Sequence, residues 1–110
     1  MTDPRKDRYV RHILDLYRKT PGTRGRARPA DRRLAEQLYR AGTPAETVRA
    51  ALLLSAARRT VRPLDAEPLQ PVNSLHYFLP VIEEIEQQPL DPGYLLYLAA
   101  KLAAALPNHR

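Results

Sequence analysis

Proline divides this chain into lengths that helices can use and strands cannot. Pro4, Pro44 and Pro92 each open a stretch in which apolar residues return every third or fourth position, and the first helical turn is where the missing N–H of proline costs nothing. Pro21 and Pro29 flank a glycine-containing break, and Pro63, Pro68 and Pro71 crowd a segment with no helical period. No segment alternates with period two for long enough to make a strand. The expectation is an all-α fold: a compact bundle of about five helices with a central third helix and a Pro-kinked fourth. At 110 residues, the chain has the length of a single helical domain spanning 1–110.

The first helix is expected from Thr2 or Asp3 to about Lys19, with Val10, Ile13, Leu14 and Tyr17 inward and Arg8, Arg11, Asp15 and Arg18 outward. It should stop at "TPGTRGRARP", a flexible loop over 20–29 that carries Arg24, Arg26 and Arg28. A second helix, about Ala30 to Arg40, turns Leu34, Ala35, Leu38 and Tyr39 inward and closes at Gly42 as a left-handed cap. Thr43, Pro44 and Glu46 then spell a capping box for a third helix running to about residue 60. Its stripe of Val48, Ala51, Leu52, Ser55 and Ala56 is widened by Leu53, Leu54 and Ala57, the pattern of a helix buried on several sides. An extended connector over 63–72 leads to Asn73 or Ser74, either of which caps a fourth helix with Leu75, Phe78, Leu79, Ile82 and Ile85 in register. Pro80 lies inside that helix and should kink it near His76, whose carbonyl loses its donor. Asp91 caps a fifth helix with Leu95, Leu98, Ala99, Leu102 and Leu106 inward, and 107–110 form a frayed tail.

Charge is distributed unevenly along these segments. Residues 1–62 hold sixteen Lys and Arg against six acids, a net +10, whereas residues 63–110 hold two against six, a net −4. Fifteen of the eighteen cations are arginine, the side chain that best combines bidentate phosphate contacts with stacking. An arginine-rich composition over an ordinary helical surface is the competing reading, and it explains arginine over lysine but not the asymmetry between the halves.

Catalytic and metal chemistry find little to use. His12, His76 and His109 are scattered without a second ligand at coordinating spacing, there is no cysteine, and four glycines form no phosphate loop. No catalytic residue, metal or cofactor is therefore expected. The opening "MTDPRKDRYV" has no apolar leader, and no window approaches the roughly 18–20 apolar residues of a membrane span. A cytoplasmic location is the expectation, with no membrane partner. Tyr9, Tyr17, Tyr39, Tyr77, Tyr94 and Tyr97 are candidates for base stacking, although at least half sit on or beside core stripes.

Residues 34–64, "LAEQLYRAGTPAETVRAALLLSAARRTVRPL", form a helix, a tight glycine turn and a second helix with arginines at its end. This resembles the helix-turn-helix of invertases and resolvases, which would start a recognition helix at Ser55 and direct Arg58, Arg59 and Arg62 into a major groove. Arg49 stands where that motif takes a small residue and Leu53 where it takes the turn glycine, so one unbroken helix from 44 to about 60 fits better. Over about 30–88, Gly42, Val48, Ala51, Leu52, Val72, Asn73 and Tyr77 resemble the C-terminal helical module of DnaD-type primosome proteins and of plasmid and phage replication initiators. That resemblance implies DNA binding within replication or mobile-element machinery.

The residues thus predict a small non-enzymatic DNA-binding protein, accessory to replication, recombination or a mobile element. Arg24, Arg26, Arg28, Arg58, Arg59 and Arg62 are the expected phosphate contacts, flanked by Arg8, Arg11 and Arg18. Nucleic acid is the expected partner, DNA ahead of RNA. Glu83, Glu84 and Glu86 read as a solvated face or as a surface for a basic partner or for self-association. Two alternatives stand beside this: a small helical subunit of a ribonucleoprotein, like those of CRISPR effector complexes, and a dimerisation module driven by the charge dipole.

Overall fold

Asp3 starts the first helix: its Oδ1 accepts from the backbone N–H groups of Arg5 and Lys6 at 3.0 and 3.3 Å, and Pro4 takes the first helical position. The computed structural model describes residues 3–60, 65–67 and 69–105. Within them the helices are α1 Pro4–Lys19, α2 Pro29–Arg40, α3 Ala45–Thr60, α4 Leu79–Gln87 and α5 Pro92–Ala105, with a 3-10 turn Leu75–Phe78 entering α4. No strand forms among the described residues, only an isolated bridge between Thr23 and Val72. The chain is an all-α bundle. Thr2, residues 61–64 with Arg62, Pro68, Leu106 and the tail 107–110 lie outside the described residues.

α3 is the centre of the bundle, unbroken across Ser55, so no separate recognition helix starts there. It buries residues on several sides, among them Val48, Ala51, Leu52, Leu54 and Ala57, and α1, α4 and α5 all pack against it. α2 packs on α1. Where these layers meet, Ile13, Tyr17, Leu75, Phe78 and Ile82 are almost completely buried, with the Tyr17 and Phe78 rings edge to face at 6.1 Å. Each such side chain contributes roughly 1.5–3 kcal/mol by leaving water. The molecule measures 51 × 29 × 25 Å.

The turn between α2 and α3 differs from the expected capping box. Gly42 adopts φ +77°, its N–H donates to Tyr39 O at 3.0 Å, and the Thr43 N–H donates to Leu38 O at 3.0 Å, which together close α2 as a Schellman motif. The Thr43 N–H is thereby spent on α2 and is not offered to Glu46. The buried Thr43 also accepts from the Tyr9 hydroxyl at 2.8 Å through its carbonyl, and its own hydroxyl donates to Glu86 Oε2 at 3.3 Å. One residue thus joins α1, α2 and α4 at the start of α3.

Pro80 also acts differently from the expected mid-helix kink. It occupies the first turn of α4, where no donor is needed, and the chain arrives through the 3-10 turn. In that tighter turn the Leu79 N–H donates to the His76 carbonyl, the group that an α-helix through Pro80 would have orphaned. Ser74 is the cap, its Oγ accepting from the His76 N–H at 3.1 Å.

Asp31, in the first turn of α2, is fully buried. Its Oδ2 accepts from the Arg28 N–H at 2.9 Å, and its Oδ1 accepts from the Leu75 N–H at 2.9 Å and the Ser74 hydroxyl at 3.3 Å. Asp31→Ala leaves two backbone donors without their acceptor and is expected to cost about 3 kcal/mol, measured as a lower urea midpoint with an unchanged slope. The Tyr9 hydroxyl gives a second expectation. Burial, assisted by the Glu86 carboxylate, pushes it up to about 12 from 10.0. Because the folded value is the higher one, the stability held by the neutral phenol is complete below pH 10.0 and is lost as pH rises toward about 12. Tyr9→Phe should flatten this alkaline loss in a pH series of thermal melts.

Candidate nucleic-acid interface

The arginine loop after α1 is tied down at both ends. At its start, the Thr20 N–H donates to Tyr17 O at 3.1 Å, and the Thr23 hydroxyl donates to Thr20 O at 3.0 Å. Gly22 and Gly25, at φ +91° and +79°, take positive-φ conformations that a side chain would strain. Beyond them the loop pairs with the connector: the Val72 N–H donates to Gly22 O at 2.7 Å and the Arg24 N–H to Val72 O at 3.2 Å. At the far end, the Arg28 N–H is held by Asp31.

This framework gathers three guanidinium groups. Arg24, Arg26 and Arg28 line one open cavity of about 340 Å³ together with Asn73. Arg24 Nε donates to Asn73 Oδ1, and Arg28 Nη2 donates to the Asn73 carbonyl at 2.6 Å. Both acceptors are neutral. Among the described residues, none of the three arginines makes an ion pair, so their charge stays available to an anion. The cavity also adjoins the N-terminus of α2, whose dipole favours negative charge.

The cluster at 58–62 is divided. Arg59 turns toward the loop: its guanidinium donates to Gln70 O at 2.8 Å and to the Tyr77 hydroxyl at 3.3 Å, and lies 5.5 Å from the Tyr77 ring centre. A Cβ at Gly22 would stand 3.1 Å from Arg59 Nε, so this arginine backs directly onto the loop. Arg58 turns the other way and makes a bidentate pair with Glu84, at 3.1 Å to Oε1 and 2.7 Å to Oε2. Arg62 lies outside the described residues.

On the outer face of α1, Arg8, Arg11 and Arg18 line a second depression of about 570 Å³ with His12 and Asp15. Asp15 pairs with Lys19 at 3.0 Å and with Arg18 at 3.7 Å, so this track is partly neutralised. Of the acidic residues on α4, Glu84 is held by Arg58 and Glu86 receives the Thr43 hydroxyl, while Glu83 is exposed.

Asn73 is expected as a possible helix cap and as one of the positions that carry the DnaD-type resemblance, and neither reading predicts its contact with the arginines; because Ser74 takes the cap, Asn73 is left to organise Arg24 and Arg28. Ser74, His76 and Asp31 form a short polar chain, with His76 Nδ1 3.1 Å from Ser74 Oγ. Here the carboxylate holds the hydroxyl and not the imidazole, the reverse of the order that activates a serine nucleophile. No three His, Asp or Glu side chains gather as a metal site among the described residues, and no helix is long and apolar enough to cross a membrane. Comparison of the chain with known protein families, curated proteins and solved structures finds no match.

The Arg58 hydrogen bond holds the Glu84 carboxyl below its ordinary 4.5. A carboxylate lowered on folding contributes stability above its unfolded pKa and loses it as pH falls through the folded value. Glu84→Gln should therefore flatten the loss of thermal stability below pH 4.5, read as a shallower acid limb in melts from neutral to strongly acidic buffer.

Proposed function

We propose that this chain is a small non-enzymatic helical protein of the cytoplasm that binds DNA through its phosphates. The observation that carries the reading is the cavity where Arg24, Arg26 and Arg28 converge on Asn73 without a carboxylate partner among the described residues. Three guanidinium groups that make no ion pair among the described residues, two of them held by neutral acceptors, suit phosphodiester oxygens, which take two parallel N–H donors from one arginine. Arg59 supports the same loop, and Arg8 and Arg11 extend the positive surface along α1. An accessory role in replication, recombination or a mobile element rests on the resemblance carried by residues 30–88, as does DNA over RNA.

Binding through phosphate contacts releases counterions, so affinity should fall steeply with salt and depend little on sequence. Anisotropy of labelled duplex DNA, single-stranded DNA and RNA over a salt series measures this. Replacing Arg24, Arg26 and Arg28 together by Ala should weaken binding by about tenfold or more at low salt and lower the log–log slope by about 2–3. Arg58→Ala should leave the slope unchanged, because that charge is already engaged by Glu84. No binding near 50 mM salt (roughly the lower end of the usual range), or a triple variant with native affinity and slope, rules the reading out.

A further inference from the structure

The arginine cavity has a shape as well as a charge. Arg24, Arg26 and Arg28 share one concave space of about 340 Å³, at the small end of the roughly 300–1,000 Å³ of ligand pockets. Arg8, Arg11 and Arg18 present the other arrangement, spread over about 15 Å of α1, which suits the successive phosphates of a strand. Asn73 orders two of the cavity's guanidinium groups before any ligand arrives, its Oδ1 accepting from Arg24 Nε and its carbonyl from Arg28 Nη2 at 2.6 Å. Each gives up one of its five N–H donors there, so most remain for a ligand. Arg26 makes no ion pair among the described residues and keeps its donors for the cavity. No carboxylate lines this space: Asp31 spends its oxygens on the Arg28 and Leu75 N–H groups and on the Ser74 hydroxyl.

We propose that the cavity seats a terminal phosphate, the phosphomonoester at the end of a nucleic-acid strand, and holds it more tightly than an internal phosphodiester. The inference rests on the phosphate-binding reading above and adds which phosphate the cavity selects. Charge gives the first reason. An internal phosphodiester carries a single negative charge on two free oxygens, whereas a phosphomonoester carries about −1.5 to −2 on three. Three guanidinium groups gathered without an acidic partner are matched by the monoester and exceed what a diester can satisfy. Access gives the second reason. A diester enters a concave site only with chain leaving it in two directions, whereas a terminal group enters end-on. A strand end is the source, because the net charge of +6 attracts the phosphates that follow it, which a free phosphate ion lacks. The 5′ and 3′ monoesters share this chemistry.

Anisotropy of a short, internally labelled single strand tests the proposal when the strand ends in hydroxyls, in a 5′ phosphate or in a 3′ phosphate. A hydroxyl-ended strand two nucleotides longer matches the total charge of the phosphorylated ones and serves as the control. At about 0.1 M salt, at least one phosphorylated strand should bind about tenfold more tightly than the hydroxyl-ended strand of equal length, and more tightly than the longer control. Replacing Arg24, Arg26 and Arg28 together by Ala should remove that preference. Replacing Arg8 and Arg11 by Ala should weaken all the strands by a similar factor and keep it. Asn73→Asp preserves the size of the side chain but adds a carboxylate to the cavity, and should abolish the preference with the melting temperature unchanged. Equal binding of the phosphorylated strands and the longer control overturns the proposal and leaves the phosphate-binding reading standing. A preference that survives in the triple variant does the same, as does displacement of the phosphorylated strand by an equal concentration of inorganic phosphate. Failure of every strand to bind overturns both.

Discussion

The carboxylate of Asp31 is removed completely from water, and burying a charge costs several kcal/mol unless hydrogen bonds replace its hydration. Here the Arg28 and Leu75 N–H groups and the Ser74 hydroxyl supply them. Those three donors come from the loop after α1 and from the turn before α4, segments more than forty positions apart. Satisfying one carboxylate therefore fixes the N-terminus of α2, the 3-10 turn and the floor of the arginine cavity together. Asn73, one residue before Ser74, is brought under Arg24 and Arg28 as a consequence. Desolvation, with the Asp31 carboxylate as the second cause, raises the pKa of the Tyr17 hydroxyl above its ordinary value.

Arginines that look equivalent along the chain have different fates. Arg58 and Arg59 are adjacent, but a helical step of about 100° sends one to Glu84 and the other to the loop and Tyr77. The first is neutralised by a bidentate partner, whereas the second spends its donors on a carbonyl and a phenol and keeps its charge. Density of positive charge along the sequence therefore overstates the surface available to an anion. What counts is which guanidinium groups meet only neutral acceptors, and among the described residues that set is centred on 24–28.

The two ends of the molecule use different physics. The N-terminal half presents charge held in place by a network of backbone hydrogen bonds, while α5 presents an apolar face held by one neighbouring helix. An ionic surface weakens with salt and an apolar one does not, so the two respond to conditions independently. That separation matches the sequence, in which net charge changes sign between the halves.

The sequence by itself determined the helices, their number and the central position of α3, because prolines, Gly42 and the three-to-four spacing of apolar residues act within a few positions of each other. It also located the loop that carries Arg24, Arg26 and Arg28. Tertiary structure decided the rest. Thr43 gave its N–H to the end of α2 rather than to a capping box, and Pro80 moved to the start of a helix by letting a 3-10 turn satisfy His76. Only the fold decided that Asp31 is buried, that Asn73 anchors two arginines and that Arg58 is claimed by Glu84. The last three depend on a partner more than twenty residues away, and the spacing of residues along a chain carries no record of which distant segment will supply a hydrogen bond, whereas the Thr43 and His76 contacts are local choices between two turns that the residues allow equally.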